Sequence, residues 1–248
     1  MGTRDYGAGP VRATFLVVDR QSRSIERPRA AVVVTDGDGK EVAKTDATLE
    51  PIGVPGHSES AGGDVTKIYV AKMRIPEPGK YTLTARPKGA DIEGIGTLEV
   101  AKKPQAPAVG DRAIPSRTPT LSSAHGDLAA LTTASPPDRS LLRYSVADSL
   151  KAHAPFVLVF ATPKYCESRT CGPTVDVVKA VQKKIPGRYI HVEIYKDNNP
   201  AQGTNRWVGE WRLPSEPWVF VVGRDGRIKA RFEGSVSAEE LTAAVGAL

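Results

Sequence analysis

Two cysteines follow a continuous apolar run in the stretch Phe156–Pro173, which has the sequence FVLVFATPKYCESRTCGP. The run Phe156–Ala161 is apolar at every position, which is typical of a central strand buried on both faces of a sheet. Cys166 and Cys171 are the chain's two cysteines. Two thiols placed at random in 248 residues would rarely lie five positions apart, so their spacing indicates a chemical role.

Strand-like and helix-like segments alternate around this stretch. In chain order they are a short helix capped by Ser145, the strand Phe156–Ala161, a helix that runs from the cysteines to Pro186, the strand Tyr189–Tyr195, the helix Asn205–Trp211, the strands Trp218–Val222 and Ile228–Phe232, and a last helix capped by Ser237. This order predicts an α/β domain with its sheet between two layers of helices.

The segment Phe160–Pro173 resembles the strand, loop and helix that carry the active dithiol of thioredoxin-like proteins, and the likeness extends over Pro155–Leu248. Pro217 stands where these proteins hold a cis-proline that faces the dithiol. The resemblance implies that Cys166 is the attacking thiol, that Cys171 is the resolving thiol, and that the two form a disulfide. It also implies a substrate groove beside the dithiol, for which the candidate residues are Thr162, Pro163, Glu216, Pro217 and Trp218.

The spacing of the cysteines departs from the family pattern. Four residues separate them here, whereas thioredoxins have two and Sco-type copper proteins have three. Residues five apart in a regular helix are turned about 140° from each other. A disulfide needs Cα atoms within about 7 Å, so at least one cysteine must lie outside the helix. Because proline favours the first helical turn, Gly172-Pro173 predicts that Cys171 starts the helix and that Cys166 lies in the preceding loop.

Charge near the helix start is expected to stabilise a thiolate. The free N–H groups there act in this direction, and Lys164 and Arg169 are expected to add to them, with Glu167 opposing. The buried aspartate of thioredoxins would fall near Val159 and is missing. Glu193, on the neighbouring strand, is a candidate replacement as general base, although an ordinary strand carboxylate is the favoured interpretation.

Three functions compete at this stage. The first is a thiol-disulfide oxidoreductase or disulfide carrier, with no cofactor and with protein thiols or disulfides as partners. The second is a Sco-type copper protein with Cys166, Cys171 and His191 as ligands, although the histidine of Sco-type proteins comes later in the chain, where this sequence has none. The third is a non-catalytic thioredoxin-like scaffold in which the disulfide is structural.

The first hundred residues have a different pattern, made of short β-branched runs separated by turns. About seven strands in this region predict an all-β sandwich of immunoglobulin-like type. Tyr81, after Pro78-Gly79-Lys80, is placed like the tyrosine of a tyrosine corner or is simply a half-buried strand aromatic. We therefore expect an immunoglobulin-like domain over residues 1–101, a proline-rich linker over 102–123, and the thioredoxin-like domain over 124–248. The apolar Leu121, Leu128 and Leu131 allow the alternative that the linker's end wraps along the second domain.

The composition and charge pattern bear on which partners the protein binds and in which cellular compartment it works. The net charge is +6, but the basic residues are scattered among acidic ones, which argues against nucleic-acid binding. No run approaches the roughly 20 apolar residues of a membrane span. By analogy with other two-domain redox proteins, we expect an extracytoplasmic location, with a signal or lipid anchor upstream of Thr3 as the only membrane link.

Overall fold

The computed structural model describes residues 1–55 and 65–248. By contacts between Cα atoms the chain divides into two compact units. The first comprises Met1–Pro51 and Asp64–Gln105, and the second comprises Ile52–Gly63 and Ala106–Leu248. In the part of the chain that the structure describes, no helix is both long enough and apolar enough to span a lipid bilayer.

The first unit is built from strands alone. They are β1 (Tyr6–Gly7), β2 (Gly9–Phe15), β3 (Arg29–Thr35), β4 (Glu41–Pro51), β5 (Lys67–Ile75), β6 (Gly79–Pro87) and β7 (Gly94–Ala101). They form one seven-stranded sheet in the order β1-β7-β6-β3-β4-β5-β2. The two edge strands are neighbours in the sequence, so the sheet curls towards closure around a core that includes Val32, Leu83 and Leu98.

Strand β4 makes the hydrogen bonding of this sheet continuous. It pairs with β3 over Glu41–Thr48 and with β5 over Thr48–Pro51. The eleven-residue strand thus joins the two halves that an immunoglobulin-like sandwich keeps as separate sheets. The hydroxyl of Tyr81 donates to the carbonyl of Glu77 over 2.9 Å at the start of β6, which is the geometry of a tyrosine corner. The predicted β-rich first domain is confirmed.

The second unit has the predicted order of elements. They are α1 (Val146–Lys151), β8 (Phe156–Phe160), α2 (Cys171–Lys184), β9 (Arg188–Val192), α3 (Arg206–Glu210), β10 (Trp218–Val222), β11 (Ile228–Glu233) and α4 (Ala238–Gly246). Ser145 and Ser237 cap α1 and α4 as expected, each accepting a backbone N–H three residues on. Asn205 caps α3 in a similar way.

The sheet of the second unit is buried on both faces. Its order is β11-β10-β8-β9, with β8 and β9 parallel and the other two pairs antiparallel. Alternate side chains of β8 enter different cores. Phe156, Leu158 and Phe160 pack with Trp211 on one face. Val157 and Val159 pack under α2 and α4 on the other. This explains why β8 has no polar position.

The predicted linker over 102–123 lies partly inside the second unit. The division between the units falls between Gln105 and Ala106. Ala106 and Ala113 are buried in the core of the second unit, and Gly110 N–H donates to the carbonyl of Ile228 over 2.8 Å. Backbone hydrogen bonds to the turn around Gly226 therefore hold this segment against the sheet.

Candidate functional site: a dithiol at the start of a helix

A tight turn between the cysteines brings them together. The N–H of Arg169 donates to the carbonyl of Cys166 over 3.2 Å, and Arg169 has a φ of +57°. This left-handed residue reverses the chain, so that Cys166 folds back over the first turn of α2. The helix itself begins at Cys171. The predicted placement, with Cys166 in the loop and Cys171 at the helix start, matches the structure.

Hydrogen-bond donors surround the sulfur of Cys166. The thiol of Cys171 donates to it, as do the backbone N–H of Cys171 over 3.2 Å and the hydroxyl of Ser168 over 3.3 Å. These hydrogen bonds lower the pKa of Cys166 to about 6, and the bond from the Cys171 thiol has the largest effect. Burial acts in the opposite direction. The ammonium of Lys164 lies over the ring of Tyr165, 5.2 Å from its centroid.

Cys171 has the opposite environment. Its side chain is completely buried under the sheet, where it packs with Val159 and Val175. Burial raises its pKa far above the ordinary thiol value, and the hydrogen bond to the Cys166 thiolate adds to this effect. The pair therefore consists of a partly exposed, acidic thiol and a buried thiol that keeps its proton.

A carboxyl group completes the cluster. The Sγ atoms of Cys166 and Cys171 and a carboxylate oxygen of Glu216 all lie within 4.8 Å of one another. Glu216 precedes Pro217, and the peptide bond between them is cis, as the resemblance implied. Burial raises the pKa of Glu216 to about 8, and the charge of the Cys166 thiolate acts in the same direction. The sequence suggested Glu216 only as a substrate contact.

Two tyrosines flank this cluster. The rings of Tyr165 and Tyr195 meet edge to face, with 6.3 Å between centroids, and both side chains are half-buried. Burial raises the pKa of Tyr195, and the charges of Glu216 and Cys166 add to it. Neither tyrosine was a sequence candidate. Their spacing of thirty residues, on two separate loops, leaves no local pattern that would reveal them.

The predicted groove residues separate into two groups. Pro163 and Glu216 are half-buried and so can contact a substrate. Thr162 and Trp218 expose none of their surface. Trp218 stacks on Phe220 in the core and lies under the guanidinium of Arg231, so its ring is not the floor of a groove. Pro217 is buried.

Glu193 and His191 make hydrogen bonds to groups other than the two sulfurs. One oxygen of Glu193 accepts the N–H of Thr133 over 2.5 Å and its hydroxyl over 2.8 Å. The Nε2 of His191 lies 2.9 Å from the carbonyl of Ala161, and its Nδ1 lies 3.3 Å from the hydroxyl of Thr132. Both ring nitrogens of His191 are thus engaged, and the described cluster at the sulfurs has the Glu216 carboxylate instead of an imidazole. The copper site with His191 stays a prediction.

The fold of the second unit and its dithiol are those of a thioredoxin-like domain. Residues 142–248 match the family model described as a thioredoxin-like domain, so the second unit is a thioredoxin-like domain. No curated protein and no solved structure gives a significant match to the chain. A thioredoxin-like domain that holds two close cysteines supports a thiol redox role.

Proposed function

We propose that this protein is a thiol-disulfide oxidoreductase in which Cys166 attacks and Cys171 resolves. The observation that supports this most strongly is the asymmetry of the pair. The partly exposed Cys166 has a pKa lowered to about 6, whereas the pKa of the buried Cys171 is raised. At pH 7 roughly nine-tenths of Cys166 is then thiolate, compared with a few per cent of a free cysteine.

The proposed reaction has two steps. The Cys166 thiolate attacks a substrate disulfide, which forms a mixed disulfide and releases the first substrate sulfur. Cys171 then attacks the Cys166 sulfur, which closes the Cys166–Cys171 disulfide and releases the second. Two electrons and two protons pass to the substrate, and the reverse sequence oxidises a substrate dithiol. No cofactor is needed for either direction.

The substrate class follows from the surface at the dithiol. The half-buried rings of Tyr165 and Tyr195 and the half-buried Pro163 offer apolar contacts beside Cys166. The peptide bond before Pro217 is cis, as in the thioredoxin-like proteins whose cis-proline segment binds an extended peptide beside the dithiol. We therefore propose protein thiols or disulfides as the substrates.

An insulin-reduction assay tests the proposed function. The wild-type protein should accelerate the reduction of insulin by dithiothreitol, and Cys166→Ser should abolish the acceleration. Cys171→Ser should instead accumulate a mixed disulfide with insulin, visible as a shift on a non-reducing gel. Wild-type protein that gives no acceleration would favour the alternative of a non-catalytic scaffold with a structural disulfide.

We also propose that the protein works outside the cytoplasm. The support is the analogy between its all-β first unit and the β-rich modules that precede redox domains in extracytoplasmic proteins. A dithiol that exchanges with protein disulfides also suits an oxidising compartment. Fractionation of cells that express the full gene product tests this, since the protein should be found in the envelope or secreted fraction and not in the cytosol.

A further inference from the structure

The carboxyl group of Glu216 has an unusual environment for a charged side chain. It lies within 4.8 Å of both sulfurs, and its Oε2 atom is buried without a hydrogen-bond partner. An unpartnered carboxylate oxygen costs free energy, so a native protein seldom keeps one that has no role. The sulfur of Cys171 is also shielded from solvent, because its residue has no exposed surface.

We propose that Glu216 accepts the proton of Cys171 when this thiol attacks the mixed disulfide at Cys166. The inference rests on the proposed function and adds the residue that makes its second step possible. Only the thiolate is nucleophilic, and Cys171 has no route to bulk water for its proton. The oxygen of Glu216 is the acceptor that the cluster itself provides.

The charge of Cys166 makes Glu216 available at the right step. In the reduced protein the titratable groups that act on Glu216 are the Cys166 thiolate, Glu193 and Glu167, and together with burial they raise its pKa. Tyr195 and Cys171 are the other titratable groups whose pKa responds to Glu216. Once Cys166 is in a mixed disulfide its negative charge is gone. Glu216 then releases its proton more readily and becomes a base.

Protons and electrons are conserved over the two steps. In the first, Cys166 forms the mixed disulfide and the departing substrate sulfur takes the proton that Glu216 releases. In the second, the Cys171 proton passes to the Glu216 carboxylate while the Cys171 sulfur bonds to Cys166. The bond between Cys166 and the substrate breaks, and the second substrate sulfur leaves with its electron pair and takes the proton from Glu216.

Stopped-flow reaction with 5,5′-dithiobis(2-nitrobenzoate) separates these steps. The reduced protein should release a first thionitrobenzoate when Cys166 attacks, in a phase whose rate depends on the reagent concentration. It should release a second when Cys171 attacks the mixed disulfide, in a phase whose rate does not depend on that concentration. Thionitrobenzoate leaves as a thiolate, so the second phase reports on the proton of Cys171 alone. Glu216→Gln should slow the second phase at least tenfold and leave the first within twofold.

The pH profile distinguishes a proton acceptor from a structural residue. In the wild type the rate of the second phase should rise with pH and then level off as Glu216 ionises. In Glu216→Gln it should instead rise without a plateau, in proportion to hydroxide. Glu216→Asp, which keeps a carboxyl, should restore a plateau. Glu239→Gln removes an exposed carboxyl at the start of α4 and is the control, with both phases within twofold of the wild type.

Two results would overturn the inference. One is a second phase in Glu216→Gln that keeps the wild-type rate and pH profile. The other, which decides the matter even if that variant fails to fold, is a wild-type rate that climbs tenfold per pH unit without a plateau from pH 5 to 9. Failure of the proposed function looks different, since both phases and the plateau would then be present while the protein gives no acceleration in the insulin-reduction assay.

Discussion

The backbone N–H of Cys171 donates to the Sγ of Cys166 over 3.2 Å, although the two residues would face different sides of a regular helix. The turn at Arg169 makes this contact possible, because it reverses the chain before α2 begins. A four-residue separation therefore still places one sulfur on the first N–H groups of a helix, where its negative charge is stabilised.

The first prediction concerns the acidity of Cys166. Its pKa is lowered to about 6, so the rate of its alkylation by iodoacetamide should rise with pH to a midpoint near 6. Ser168→Ala removes one of the hydrogen bonds to the thiolate and should slow alkylation at pH 6 about twofold to threefold. Mass spectrometry of the labelled peptide gives the rate. A wild-type midpoint between 8 and 9 would mean that the sulfur is an ordinary thiol.

The second prediction concerns the turn between the cysteines. Arg169→Pro fixes φ near −65° and removes the N–H that donates to Cys166, so the turn cannot form. The alkylation midpoint of Cys166 should then move up towards about 8.5, the value of a free thiol. Arg169→Gly accepts the positive φ without strain and should keep the midpoint near that of the wild type. A proline variant with the wild-type midpoint would show that the turn does not set the acidity.

The third prediction concerns stability and Glu216. Its pKa is raised from 4.5 to about 8, so the folded state binds the proton of this carboxyl more tightly than the unfolded state does. The resulting contribution to stability is fully present below pH 4.5 and is lost as the pH rises through 8. Glu216→Gln has no such loss. It should match the wild type near pH 4 and exceed it by about 1–2 kcal/mol near pH 9, once partial exposure is allowed for.

Urea unfolding followed by tryptophan fluorescence measures this difference. All three tryptophans, Trp207, Trp211 and Trp218, lie in the thioredoxin-like unit, so the signal reports on that unit. Glu239→Gln, at an exposed position on α4, is the control and should show no pH-dependent gain. A difference between Glu216→Gln and the wild type that stays constant from pH 4 to 9 would contradict the raised pKa.

Local patterns in the sequence predict most of the second unit. The caps at Ser145 and Ser237 and the apolar runs of β8 and β10 depend on neighbouring residues, so they are visible without the fold. The same holds for Gly172-Pro173, which places Cys171 at the helix start. Strand β4 is harder to predict from the sequence, because its side chains are mostly polar or exposed and show no clear alternation.

The carboxyl chemistry of the site was harder to predict. Glu193 lies on a strand next to β8, which made it a reasonable candidate, but the backbone N–H of Thr133 binds its carboxylate. That contact depends on the path of the segment around Thr133, whose sequence has no periodic pattern of apolar residues. Glu216 lies beside the sulfurs because the cis peptide bond and the sheet order carry its loop to the start of α2. A carboxyl directly before the expected cis-proline was the one sequence signal for it.

The reduction potential of the Cys166–Cys171 pair tests the central claim most directly. Equilibration of the protein with glutathione or dithiothreitol buffers, followed by trapping of the free thiols, gives the value. An acidic, partly exposed attacking thiol with a buried partner predicts a potential in the range of exchange enzymes, about −270 to −120 mV. A potential below about −300 mV would identify a structural disulfide and contradict the account.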